Sequence, residues 1–147
     1  MLPVNDAPII SQFLNQTVME DEITVYSMEL ADIDTGTTLT LSATTDKSAV
    51  HVIANSSDYT ITLFQDTNWH GESEITVVVS DGELMDTTNF DLTVEPVNDA
   101  PIINQAQNQT ILEDSQGIFS FEVSDVDEGT TLTLSAFADT NSISIET

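Results

Sequence analysis

An Asp-x-Asp pair occurs twice in this chain, as Asp32/Asp34 and as Asp125/Asp127, and Glu20, Asp66, Asn68 and Asn98-Asp99 add further side-chain oxygens. Grouped acids of this kind suit coordination of a hard cation. Two carboxylates about 4 Å apart repel by roughly 4 kcal/mol at an effective dielectric near 20. Lys47 is the only base set against 26 acids, for a formal charge of -25 with the histidines neutral, so side chains cannot neutralise such pairs. A soluble cation is the simplest remedy. Oxygen donors and the absence of cysteine favour Ca2+ over Zn2+, and Mg2+ suits the set less because it holds its waters and demands stricter octahedral geometry.

The same composition excludes other chemistry. Phosphate contacts need basic side chains, so nucleic-acid binding is not expected. No apolar run approaches the roughly 18 residues of a membrane helix, so no membrane insertion is expected. The segment after Met1 lacks the basic and apolar regions of a secretory leader, so a native leader is not expected at this N-terminus. Without cysteine there is no disulfide frame and no thiol nucleophile. No nucleophile-base pairing, phosphate loop or His-rich motif is present. Carboxylates abound, but they are expected at the ends of the fold and in linkers, where a glycosidase dyad lacks a cleft. The chain is therefore expected not to be an enzyme. Trp69-His70 next to Gly71 reads as a loop anchor rather than a sugar platform, and His51 is expected on an outward strand face.

The elements that position the acids come from a duplication. Val4-Asn5-Asp6-Ala7-Pro8-Ile9-Ile10 returns as Val97-Asn98-Asp99-Ala100-Pro101-Ile102-Ile103, an offset of 97 - 4 = 93 residues. The register holds without a gap over 51 pairs, from Val4/Val97 to Ala54/Thr147, with 26 identities. A unit of this length is a domain, not a short solenoid repeat. The boundaries that follow are a linker from a preceding repeat at 1–7, repeat 1 at 8–96, an inter-repeat linker at 97–101, and a truncated repeat 2 at 102–147 holding about four strands.

Apolar and polar residues alternate in short runs bounded by Asp, Gly, Asn and Pro, which is a strand pattern. Strands are expected at 23–30, 38–43, 50–53, 59–63, 75–79 and 90–94, with one more from 9–14 that continues past 17. Inward rows are expected at Tyr26, Met28 and Leu30, at Tyr59, Ile61 and Leu63, and at Ile75, Val77 and Val79. Tyr26, Met28 and Leu30 become Phe119, Phe121 and Val123 in the second copy, and stay apolar. Seven strands in about 93 residues make an all-β, seven-strand immunoglobulin-like sandwich the expected fold. The second copy lacks the equivalents of the last three strands, so residues 101–147 are expected to be marginal alone, as part of a longer array.

Such topology gathers Glu20, Asp66, Asn68, Asn98, Asp99, Asp125 and Asp127 towards the junction of the two repeats. The ordered set Glu20, Asp32/Asp34, Asp66/Asn68, Ser80-Asp81-Gly82 and Val97-Asn98-Asp99-Ala100-Pro101 resembles the cadherin-like, VNDAP-type tandem repeats of large bacterial surface and adhesin proteins. The resemblance covers essentially the whole chain. It implies calcium at each junction, held by those seven residues, and a further site at Asn5, Asp6, Asp32, Asp34 and Asp81 that is completed by a preceding unit. The linker is shorter than the cadherin pattern by an Asn and its leading Asp, and Asn68 stands where an acid is usual. Fewer or weaker ions per junction are therefore expected. Each motif also has a plainer reading: Asn-Asp-Ala-Pro is a turn in its own right, Asp-x-Asp before Gly36 or Gly129 is an Asx turn, Glu20 ends a strand with Asp21 as the alternative carboxylate, and Asp81-Gly82 is a hairpin signal.

These features lead to a calcium-binding structural repeat that serves as a rigid extracellular or cell-surface spacer or adhesion stalk. Its partners are the neighbouring repeats of the same chain and a cell-surface or matrix component. A carbohydrate- or ligand-binding accessory module of a secreted protein is the alternative. A third reading makes the acids surface solubilisers for high salt.

Overall fold

In the computed structural model residues 4–146 are described, and the chain divides after Val97 into two units. Unit 1 holds β1 (Ile9–Ile10), β2 (Gln16–Met19), β3 (Thr24–Ser27), β4 (Leu30–Ala31), β5 (Thr40–Thr45), β6 (Val50–Asn55), β7 (Thr60–Gln65), β8 (Gly71–Ser80) and β9 (Met85–Glu95). One sheet has the order β2-β9-β8-β5 and the other β3-β7-β6, while β1 and β4 form a two-residue ladder. The β2–β9 pairing is parallel and the rest are antiparallel. No helix occurs among the described residues, so none is long and apolar enough to cross a membrane. This is an all-β sandwich of the immunoglobulin-like type.

Period-two patterning fixes which residues fill it. Ile61 and Leu63 from β7 face Ile75, Val77 and Val79 from β8 and Phe90, Leu92 and Val94 from β9, all buried. At about 25 cal/mol per Å2 of apolar surface, such rows are the main favourable term in folding, and a one-residue slip of any strand would turn its row to water. Phe13, partly buried, closes one side of the core through edge-to-face contacts with Tyr26 at 5.4 Å and Phe90 at 4.9 Å.

The expected strand at 23–30 is broken. β3 pairs with β7, but after Met28, whose amide donates to the Tyr59 carbonyl, the chain changes partner and β4 pairs with β1. The N-terminal strand divides in the same way into β1 and β2, which join different sheets. Tyr59 does not belong to the inward row. It sits at φ 55° in the β6–β7 turn, 36% exposed, because β7 begins one residue later.

The acids are not confined to the ends of unit 1. The outward face of the four-stranded sheet carries Glu72, Glu74, Asp91 and Glu95, all exposed, with Glu74 directly opposite Asp91. The outward face of the three-stranded sheet carries Val25, Ser27, His51, Ile53, Thr62 and Phe64, with the carboxylate of Asp66, just after β7, bonded to His51. His51 lies on that face as expected, stacked on Phe64 at 5.0 Å.

Unit 2 repeats the opening of unit 1. β10 (Ile102–Ile103) pairs with β11 (Val123–Ser124) in the register Ile102↔Ser124 and Ile103↔Val123, which is the β1–β4 register shifted by 93. The bond from the Ser11 amide to the Glu29 carbonyl recurs from Asn104 to Glu122. These are the strands that the described residues of unit 2 form. Phe119, Phe121 and Val123 are all at least 40% exposed. The copies of Ile61, Ile75 and Leu92 that would cover them fall beyond residue 147, and an apolar row without an opposing sheet gains nothing from pairing.

Candidate metal centre

At one end of unit 1 the chain enters through Asn5 and Asp6, and two turns meet it. The first is the loop after β4, in which the Asp34 amide donates to Asp32 Oδ1 at 2.8 Å. That is an Asx turn, favoured because Asp bonds the backbone two residues on. The Asp6 amide donates to Asp34 Oδ2 at 2.7 Å, and Thr37 Oγ1 donates to the Asp34 carbonyl at 3.0 Å. Gly36, at φ 86°, supplies the left-handed residue that reverses the loop. The second turn joins β8 to β9, and there Asp81 Oδ1 accepts from the Glu83 and Leu84 amides, both at 2.7 Å. Asn5 Nδ2 donates to Asp81 Oδ2 at 2.8 Å. The Leu84 and Glu83 amides, followed by the Asn5 amide, hold the Asp81 carboxyl below its ordinary pKa. Asn5 is thus joined to Asp81, and Asp6 to Asp34 and Asp32, at the same end of the unit.

Backbone donors use one oxygen of each aspartate of the Asp-x-Asp pair. Asp32 Oδ2 is buried and has no hydrogen-bond partner among the described residues. An Asx turn alone leaves that oxygen unexplained. Stranding a buried charged acceptor costs about 1–3 kcal/mol or more, and Lys47, the one Lys or Arg in the chain, is engaged with Asp46 at 3.1 Å. A hard cation fits the donor set: carboxylates and an amide, no sulfur, on loops of adjustable geometry.

Unit 2 builds the same turn 93 residues later. The Asp127 amide donates to Asp125 Oδ1 at 3.0 Å, the Asp99 amide to Asp127 Oδ2 at 2.7 Å, and Thr130 Oγ1 to the Asp127 carbonyl at 3.1 Å. Asn98 Nδ2 donates to the Asp99 carbonyl at 2.8 Å. The copy of Asp81 would be residue 174, outside the chain.

The opposite end of unit 1 holds Glu20, 4% exposed, just after β2. Its Oε1 accepts from the Val97 amide at 2.6 Å, and its own amide donates to the Glu95 carbonyl at 2.9 Å. Its Oε2 is buried, makes no hydrogen bond among the described residues, and lies 3.6 Å from His70 Nδ1. Asp66 is exposed and turns away to His51, with Oδ1 at 2.8 Å from Nε2. Asn68, at φ 58°, donates its amide to Asp21 Oδ1 at 3.0 Å. Asp21 therefore caps the turn between β7 and β8. Trp69 packs against the core beside Gly71, where a Cβ would meet its ring at 3.4 Å.

Sequence reasoning passed over Thr37 and Thr130, the hydroxyls that close the Asp-x-Asp loop. Their signal is present in the sequence, since Gly36-Thr37 and Gly129-Thr130 follow the two pairs at the same spacing.

A model of the cadherin-like domain matches residues 4–95. No curated protein matches the chain. Among solved structures, the endo-fucoidan hydrolase MfFcnA4 from glycoside hydrolase family 107 is similar at 26% identity and TM-score 0.46, over 62% of this chain and 14% of that one. The related MfFcnA9 matches at 23% identity and TM-score 0.48, over 64% and 17% of the two chains. A chimeric titin Z1Z2 carrying a decorin peptide matches at 13% identity and TM-score 0.46, over 65% of this chain and 100% of that chain. The match thus covers about one seventh of the first hydrolase's length. Because the family model spans most of the sequence, the chain belongs to the cadherin-like domain family, a structural or adhesion-type module.

Proposed function

We propose that this chain is a calcium-binding structural repeat that acts as a rigid extracellular spacer or adhesion stalk, without catalysis. The buried, unpartnered Asp32 Oδ2 carries this reading, in a loop whose other acids are already oriented by backbone amides. Preorganisation matters because an ion need not first order these side chains. Asn5, Asp6, Asp34 and Asp81 stand beside Asp32 in this set. Asn98, Asp99, Asp125 and Asp127 form its copy, and Glu20 offers a second buried oxygen that makes no hydrogen bond among the described residues and has His70 at 3.6 Å. Asp66 and Asn68 are weaker candidates because their bonds run to His51 and Asp21.

In the spacer role, consecutive repeats share the ion through their linker, which turns a flexible joint into a stiff one. The partners are then neighbouring repeats and a cell-surface or matrix component, and the place of action is outside the cell. Ca2+ bound to the folded state adds about 2.7 kcal/mol when free ion exceeds the dissociation constant 100-fold. Calorimetric titration of the chain with CaCl2, beside Asp32→Asn, tests the reading. Saturable heat that the substitution removes supports it, and no heat in either protein defeats it. The accessory-module alternative gains no support from Trp69, which serves as a core anchor.

A further inference from the structure

β6 is an edge strand, paired with β7 on one side only. The Ala49 carbonyl accepts from the Asp66 amide, so the odd-numbered residues of β6 direct their backbone groups to β7 and the even-numbered ones direct theirs outward. The Val50 amide is used by the Lys47 carbonyl. Among the described residues, the outward amide and carbonyl of Val52 and of Ala54 meet no partner.

The edges of β5 and β2 are blunted, and β3 is the other edge of the three-stranded sheet. On β5 the Leu41 amide and carbonyl are both met by the Ser56 hydroxyl, and on β2 the Met19 carbonyl accepts from Gln65 and its amide donates to Glu22. β6, with the sequence VHVIAN, has no Asp, Glu, Lys, Arg or Pro to discourage pairing. Beside it runs an open groove of about 480 Å3, lined on the far side by Ala43, Thr44 and Thr45.

We infer that β6 pairs antiparallel with β6 of a second copy of this chain, with Ile53 opposite its own counterpart. In that register Val52 faces Ala54 on both sides of the two-fold axis, and the four outward groups of each copy bond across it. Ile53, 58% exposed, meets its counterpart at a non-hydrogen-bonded position, where side chains approach most closely. Charge selects this face. Each copy carries -25, and the outward face of the other sheet presents Glu72, Glu74, Asp91 and Glu95, whereas the one carboxylate at the outward face of the sheet extended by β6 is that of Asp66, which is paired with His51. Two copies meeting there bring together fewer acids than two copies meeting through the other sheet, and the one acid of each is held by its own His51. A single strand edge covers only part of the roughly 800 Å2 per partner of a standard stable interface, so the dimer is weak and concentration-dependent.

Sedimentation equilibrium of the full chain in EGTA, where metal bridging contributes nothing, is expected to show mass rising with concentration from the 16.0 kDa monomer, and more so as NaCl screens the repulsion. Ile53→Asp should abolish the rise while thermal unfolding stays cooperative. Ile53→Cys, in a chain without other cysteines, should give a disulfide-linked dimer with oxidised glutathione, which takes up the two electrons and the two thiol protons and leaves as two reduced glutathiones. Val25→Cys, equally exposed but two strands away, should not. A monomer at every concentration, equal cross-linking from positions 25 and 53, or association that survives Ile53→Asp overturns the inference. The last result would assign association to the exposed apolar residues of unit 2.

Discussion

The Asp6 amide donates to Asp34 Oδ2 at 2.7 Å, which ties the entry of the first unit to its Asp-x-Asp turn, and Asp99 and Asp127 repeat the bond at the same distance. The bond spans 28 residues in each copy and recurs where the β10–β11 ladder repeats β1–β4, so the entry segment, that ladder and the Asx turn recur together.

Asp32→Asn should therefore separate two effects. Asn keeps an oxygen for the Asx turn and replaces a buried charged oxygen by a neutral amide. Without calcium the melting temperature should be unchanged or raised, and with calcium the stabilisation of the parent chain should be missing. Differential scanning calorimetry in EGTA and in CaCl2 reads both.

The loop bonds should be measurable separately. Asp34→Ala removes the acceptor for the Asp6 amide, which costs about 1–2 kcal/mol in calcium-free buffer. Urea unfolding of unit 1 should show a lower midpoint with an unchanged slope. A changed slope would mean that the loop shapes the compactness of the fold as well.

Packing predictions contrast the units. Leu92, fully buried in unit 1, should cost about 2–5 kcal/mol on change to Ala. Phe119, its row uncovered, should cost within about 0.5 kcal/mol. Equal losses would show that unit 2 has a core of its own.

Acid titration should expose Asp46. The Ser73 hydroxyl first, then Lys47 and the Glu74 amide, hold its carboxyl below the ordinary value. A depressed carboxylate stabilises the fold above its unfolded pKa, about 3.9, and that contribution is lost as pH falls through the lower folded value. Asp46→Asn should therefore lower the melting temperature at neutral pH, with the gap to the parent chain closing below about pH 4. A gap independent of pH would assign the effect to packing.

Much of the fold was legible because period-two rows survive from sequence to structure, as at Ile75, Val77 and Val79. The breaks at Met28 and between Ile10 and Gln16 were not, because a strand that changes sheets keeps its alternation while exchanging its partner, and partners are long-range. The acid turn was legible from spacing, since an Asx bond spans two residues. Asp66 was not: its bond to His51 depends on the register of β6 on β7, which alternation alone does not set.

The most direct measurement is the melting temperature of the chain in EGTA, in millimolar CaCl2, and in NaCl matched for ionic strength. A specific site predicts a rise with CaCl2 that NaCl does not reproduce and that Asp32→Asn abolishes. Identical curves in EGTA and CaCl2, or an equal rise in both salts, would contradict calcium coordination and leave the acids as surface charge.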